Sequence, residues 1–285
     1  MNALSLSLRQ VMKTPLALWD AANHVLADDR AAASICFLIY HRVTGDLRLE
    51  LDLDFSLFRQ QMAALAQSGR VISYDEALAR LSSGHLSERT HFVLTFDDGY
   101  RDFYTHVYPL LQELGLPAIL FVTTGFVDEG MPYPLMARPN ASVAPLTWEM
   151  LGELAESPWI RLGAHTHRHP QLAGLSPSQL EEELAWPVER FRTELGLRPA
   201  HFSYPLGLYT PEVMAQVAQY YETAVIGGGQ LATSRNWNRY GIPRVPIRRS
   251  DGWWFFQAKL RGWLQGEEAV YEWLHARRSA RWRRR

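Results

Sequence analysis

Cysteine occurs once in the 285 residues, at Cys36. An intramolecular disulfide is therefore impossible, and a zinc site built on thiolates is excluded. Cys36 lies in the apolar run Ile35-Cys36-Phe37-Leu38-Ile39-Tyr40 and reads as a small core side chain. Lysine is almost as scarce: Lys13 and Lys259 are the only two, so arginine carries nearly all the positive charge. Nothing approaches the ~18–20 consecutive apolar residues of a membrane span. Residues 1–9 lack the basic leader and continuous apolar core of a secretory signal, so a cytoplasmic location is expected. The formal net charge of −1 gives no electrostatic reason to expect nucleic acid as a partner. Neither an internal repeat nor a Pro/Gly/Ser-rich linker divides the chain.

Apolar residues make up 47% and charged residues 21%, ample for a globular core. Short apolar runs that read as buried strands cover 35–43, 92–96, 118–123, 160–164, 201–204, 223–226 and 244–247. Helical patterns lie between several of them, at 55–67, 104–114, 148–156, 179–195 and 211–221. Ser176-Pro177 and Thr210-Pro211 mark helix starts, and Gly115 and Gly196 mark stops. Strands alternating with helices argue for a parallel sheet covered by helices. Seven or so such units favour a closed or nearly closed βα barrel, the more so because the chemically active residues fall just after strands. The division expected is a helical extension over 1–34, the barrel over 35–265, and a C-terminal helix with an Arg-rich tail over 266–285. Residues 128–145 read as a long proline-rich loop. The tail, with Trp282 among its arginines, suits solvent or anionic lipid head groups.

Two clusters carry the chemistry. Asp97-Asp98-Gly99 ends the second strand, where alternation aims adjacent carboxylates in different directions. One can face a metal while its neighbour faces a water, although Asp-Gly is also a common turn. His165 and His169, after the fourth strand, form an H-x-x-x-H pair, which on helical geometry shares one face. His167 between them reads as a surface or loop histidine. Carboxylate plus two imidazoles suits Zn²⁺ or another borderline divalent metal.

These residues resemble the polysaccharide deacetylase family, the NodB-homology domain of carbohydrate esterase family 4. Thr95-Phe96-Asp97-Asp98-Gly99 matches its first motif, T-F-D-D-G, and His165-Thr166-His167-Arg168-His169 its second, H-[ST]-x-x-H. Tyr40-His41 resembles the opening strand of the exopolysaccharide-associated branch. The resemblance implies a distorted, NodB-like (β/α)7 barrel that deacetylates an amino sugar in a polysaccharide, oligosaccharide or lipid-linked saccharide. It implies Asp97 as general base and Asp98, His165 and His169 as ligands of a divalent metal, Zn²⁺ first, with Co²⁺, Ni²⁺ or Mn²⁺ as substitutes. The backbone N–H of Leu206 would hold the oxyanion, by its place in the family's third motif, R-P-P-Y-G.

The chain departs from the family in three places. Ser203 replaces the third-motif arginine, and Arg244 is a substitute from a later strand. Asp251-Gly252-Trp253-Trp254 matches the fourth motif, whose Asp and Trp flank the site, only loosely. The fifth motif, which supplies the general acid, has no clear copy, leaving His41 and His275 as candidates. Two other readings accompany this one: a metal-dependent hydrolase of a formamide, imide or ureide, and a catalytically silent saccharide-binding barrel. Oligomeric state is not legible.

Overall fold

The computed structural model describes residues 13–15, 33–130, 143–263 and 267. Seven strands form a closed, all-parallel barrel in chain order: β1 (Ile35–Tyr40), β2 (His91–Phe96), β3 (Ala118–Val122), β4 (Ile160–Ala164), β5 (His201–Ser203), β6 (Thr223–Gly228) and β7 (Ile242–Pro246). Closure is uneven. β1 and β2 pair along six residues, whereas β4 meets β5 only at Ala164 and Phe202. β7 closes onto β1 through Leu38–Val245 and Ile39–Pro246. The first strand is shorter than the apolar run suggests, because Arg42 turns away to pair its main chain with Leu51 and Leu53.

Around the barrel lie α1 (Phe55–Ser68), α2 (Tyr74–Ser83), α3 (Tyr108–Leu114), α4 (Thr124–Glu129), α5 (Trp148–Glu156), α6 (Pro177–Leu195), α7 (Pro211–Tyr220) and α8 (Gly252–Leu260). A π-helical turn, Phe103–Val107, leads into α3. α6 begins with a full capping box between Ser176 and Gln179, has Pro177 in its first turn, and ends at Gly196 in the left-handed region. α2, α4 and α8 were not expected from the sequence; α4 is only six residues long, and α8 is apolar on nearly every side.

Strand alternation sorts the core into two layers. Ile35, Phe37, Val93, Ile119, Phe121, Val225 and Ile242 fill the lumen, plugged from the N-terminal end by Tyr74, Ala77 and Leu81 of α2. Their neighbours Cys36, Leu38, Phe92, Leu94, Leu120 and Val245 face the helices. Val93 points inward, so Thr95 and Asp97 do as well. Hydrophobic filling gives way to polar side chains as the lumen approaches its C-terminal mouth.

Candidate active site

Asp97 is the first residue after β2, its N–H donating to the Tyr40 carbonyl at 3.0 Å. Its carboxylate is gripped by Arg244 of β7, with Nη1 to Oδ1 and Nη2 to Oδ2 both at 2.8 Å. Arg244 is only 1% exposed and spends its remaining donors on Thr95 Oγ1, Ser203 Oγ and the Ile226 carbonyl. Ser203 Oγ in turn donates to Asp97 Oδ2 at 3.1 Å. A serine at 203 carries no charge to pair with the carboxylate, and the guanidinium arrives instead from across the lumen, above the face of Phe121. Burial alone would raise the Asp97 pKa, but Arg244 and His165 outweigh it and hold the carboxyl well below its usual range.

Asp98 lies at φ 85° and Gly99 at φ 92°, and Gly99 N–H donates to the Asp97 carbonyl at 3.2 Å. The Asp-Asp-Gly segment is thus a tight turn and a site at once. That turn carries Asp98 Oδ1 to 3.4 Å from His165 Nε2 and 3.9 Å from His169 Nε2. Ligand atoms of the three residues lie within 4.8 Å of one another, and all three side chains are buried. The His165 Nδ1 sits 2.7 Å from the Ser203 carbonyl. A carbonyl only accepts, so Nδ1 carries the proton and Nε2 presents its lone pair to the cluster. Burial lowers His165, yet Asp97 and Asp98 bring it above the ordinary imidazole value; burial and His165 together push His169 down to about 4. For Asp98, burial is outweighed by His165, His41 and His169, and the carboxyl is lowered. One hard oxygen and two imidazole nitrogens, preoriented and shielded from water, fit a divalent metal of the zinc type.

The histidine pair is not helical. Residues 165–169 form a loop in which Thr166 and His169 both take positive φ, 62° and 56°. Thr166 Oγ1 ties the turn together, donating to the His165 carbonyl and accepting the His169 N–H. The spacing works because the chain doubles back, bringing the two ring centroids to 4.7 Å. His167 corrects the surface assignment: it is buried, bonded to Thr124 Oγ1 at 3.0 Å and set against Trp186. Glu183 of α6 accepts the N–H groups of both His167 and Arg168, at 2.9 and 2.8 Å. Gly125 of α4 closes in from the other side, where a Cβ would stand 2.6 Å from the His167 carbonyl.

Leu206 occupies the three-residue turn Pro205–Gly207 at the mouth end of β5, with φ 60° and ψ 6°. Among the described residues, five non-glycine residues have positive φ, and Asp98, Thr166, His169 and Leu206 are four of them. Backbone strain is concentrated where the functional candidates sit. His41 follows β1 and contributes, with Arg244 and His165, to lowering Asp97. His275 and the whole of the Arg-rich tail lie outside the described residues. Asp251, from the loosely matched fourth motif, is buried and spends its carboxylate on Lys13 and Lys259, at 2.5 and 2.9 Å. Sequence reasoning missed Glu183 and Tyr100, whose phenol is raised by burial and by Asp98. A lone glutamate on an amphipathic helix carries no local signal of such a role.

The family model for polysaccharide deacetylase matches residues 86–225, a span that holds Asp97, Asp98, His165, His169 and Leu206. Over that span the chain carries a polysaccharide deacetylase domain. By that domain it is a hydrolase of the carbon–nitrogen bond class. Among curated relatives, the putative polysaccharide deacetylase YxkH of Bacillus subtilis is 27% identical over 218 residues, covering 75% of this chain and 72% of that protein. The poly-beta-1,6-N-acetyl-D-glucosamine N-deacetylase of Escherichia coli is 31% identical over 116 residues, 39% of this chain but only 17% of that larger protein. Among solved structures, IcaB from Ammonifex degensii superposes with a TM-score of 0.66 at 25% identity, covering 81% of this chain and 97% of that one.

Proposed function

We propose that this polysaccharide deacetylase is a metal-dependent N-deacetylase, cleaving the acetamide of an amino sugar in a saccharide. One observation carries the proposal: a second carboxylate, Asp97, stands beside the Asp98-His165-His169 trio and is held ionised by Arg244 rather than joining the trio. A pure binding barrel gains nothing from that arrangement, whereas amide hydrolysis needs a base next to the nucleophilic water. A divalent metal held by Asp98, His165 and His169 supplies Lewis acidity toward the amide carbonyl and a more acidic water.

The chain's own residues supply the rest. Asp97, fixed by Arg244 and Ser203, accepts the proton of the attacking water. Its rigid, two-point support keeps the acceptor oxygen in place without any reorganisation during the reaction. The turn at Leu206 offers a main-chain N–H at the mouth for the developing oxyanion. His41 is the residue we assign to proton delivery to the leaving amine, being the described histidine near both carboxylates that takes no part in the trio. His165 is tied to Ser203, so the main chain of β5 positions both a ligand and the base's supporting hydroxyl.

The test is acetate release from N-acetylated oligosaccharides, coupled to metal analysis of the purified protein. Ammonia, formate or a ring-opened product from a non-saccharide amide would instead point to another carbon–nitrogen hydrolase. Metal-loaded protein that binds saccharide but releases nothing would point to a silent barrel.

A further inference from the structure

The fifth non-glycine residue of positive φ among the described residues is Arg48, at 52°. All five lie in loops that follow strands at the mouth end: Arg48 after β1, Asp98 after β2, Thr166 and His169 after β4, and Leu206 after β5. The other four already have a place in the site, and Arg48 has none. An arginine gains nothing locally from the left-handed region, which glycine, asparagine and aspartate enter far more readily. Such strain persists only where the surroundings enforce it.

Here they enforce it from both sides. Before Arg48, the buried Asp52 carboxylate accepts the N–H groups of Gly45 and Leu47 at 2.9 and 2.8 Å. Arg42 Nη2 donates to Thr44 Oγ1 and Asp46 Oδ1, both at 2.8 Å. After it, the Asp52 N–H donates to the Leu49 carbonyl at 3.2 Å, and the Arg249 N–H donates to the Glu50 carbonyl at 2.7 Å. Ser250 Oγ donates to the Glu50 carboxylate at 2.6 Å, and Arg249 Nη1 to the carbonyls of Gly45 and Asp52. Arg48 itself is exposed, and among the described residues its guanidinium has neither a hydrogen bond nor an ion pair. The loop is also fastened beside the Asp98 cluster. Val43 N–H donates to Asp102 Oδ2 at 2.7 Å, and the Arg42 guanidinium lies 5.3 Å over the ring of Tyr100, whose phenol bonds to Asp98.

We infer that Arg48 is a substrate-recognition residue, whose guanidinium takes an anionic substituent, carboxylate or phosphoryl, on the saccharide bound at the mouth. A planar fork meets either group through two N–H bonds. The loop fixes the arginine backbone beforehand, so less ordering is left for the moment of binding. No group in the lumen needs this charge, because Arg244 already serves Asp97. The inference rests on the deacetylase reading for the nature of the ligand, and direct binding separates the two.

The experiment is calorimetric binding of three N-acetylated oligosaccharides of equal length, neutral, uronate-bearing and phosphorylated, to the full chain, with acetate release followed in parallel. The parent should bind at least one anionic ligand about tenfold or more tighter than the neutral one. That advantage should shrink in high salt, and the anion that shows it tells carboxylate from phosphoryl. Arg48→Gln should erase the advantage, so that the anionic ligand binds like the neutral one, and Arg48→Lys should keep only part of it. Arg48→Gly should lose it equally yet raise Tm by roughly 1–3 °C through relief of strain. Equal affinity of the parent for all three ligands overturns the inference, as does an anionic preference that survives Arg48→Gln. A Tm that falls in Arg48→Gly also overturns it, because the arginine would then be a prop for its own loop. Arg48-dependent binding of an anionic ligand without acetate release would sustain the inference and sink the deacetylase reading.

Discussion

Replacing Arg244 by Met removes the guanidinium while keeping an unbranched apolar stem in the lumen above Phe121. Asp97 would then be a buried carboxylate with only Ser203 Oγ donating to it from the side chains of this cluster. Breaking a buried pair by deleting one partner costs about 3–5 kcal/mol, a large part of the ~5–15 kcal/mol that holds a typical domain together. The sign of the pH dependence follows from the Asp97 carboxyl. In the parent its folded pKa is depressed, so its stabilisation is complete above the unfolded carboxylate value and is lost only as pH falls through the lower folded value. In the variant the main lowering charge is gone and burial dominates, so the folded carboxyl rises and the chain is penalised above it. The gap between parent and variant should therefore be widest near neutrality and shrink toward pH 4. Urea melts at both pH values measure it. Adding Asp97→Asn to Arg244→Met removes the stranded charge and should restore much of the loss, a coupling on the order of 3 kcal/mol in a double-mutant cycle. A loss under about 1 kcal/mol that does not vary with pH, or no recovery in the double variant, would refute the view that Arg244 exists to hold an ionised Asp97.

Further outcomes are expected. Asp97→Asn should cut kcat by ~10²–10⁴ while the metal content of the protein is unchanged, and His165→Ala should instead abolish metal binding, read by elemental analysis. Glu183→Ala should weaken metal affinity ~10–100-fold by loosening the His167-Arg168 backbone, without touching a ligand; chelator competition reports it. His41→Ala should lower kcat more than KM and leave metal bound, and a pH–rate profile that keeps its parental alkaline limb would remove His41 from the proton-delivery role. Chelation should end acetate release, with Zn²⁺, Co²⁺ or Ni²⁺ restoring it.

Much of the architecture was legible because buried parallel strands announce themselves locally. All seven apolar runs became strands, with ends shifted by a few residues where pairing partners ran out. α2 escaped notice because its task of plugging the barrel, through Tyr74, Ala77 and Leu81, depends on what lies above it. The rings of the H-x-x-x-H pair do meet, but through two left-handed residues in a loop and not through the expected helical turn.

From composition and order alone came the exclusion of thiolate chemistry, the strand–helix alternation, and the two short motifs whose members sit within a few residues of one another. Folding decided everything that links distant positions. Arg244 reaches Asp97 across 147 residues of chain, and Glu183 anchors a loop borne by another strand. Asp251 was drawn into a lysine clamp rather than toward the carboxylate–imidazole cluster. Short-range spacing is written into the covalent chain, whereas partners across a lumen exist only once a sheet has curled shut and made strangers in sequence into neighbours in space.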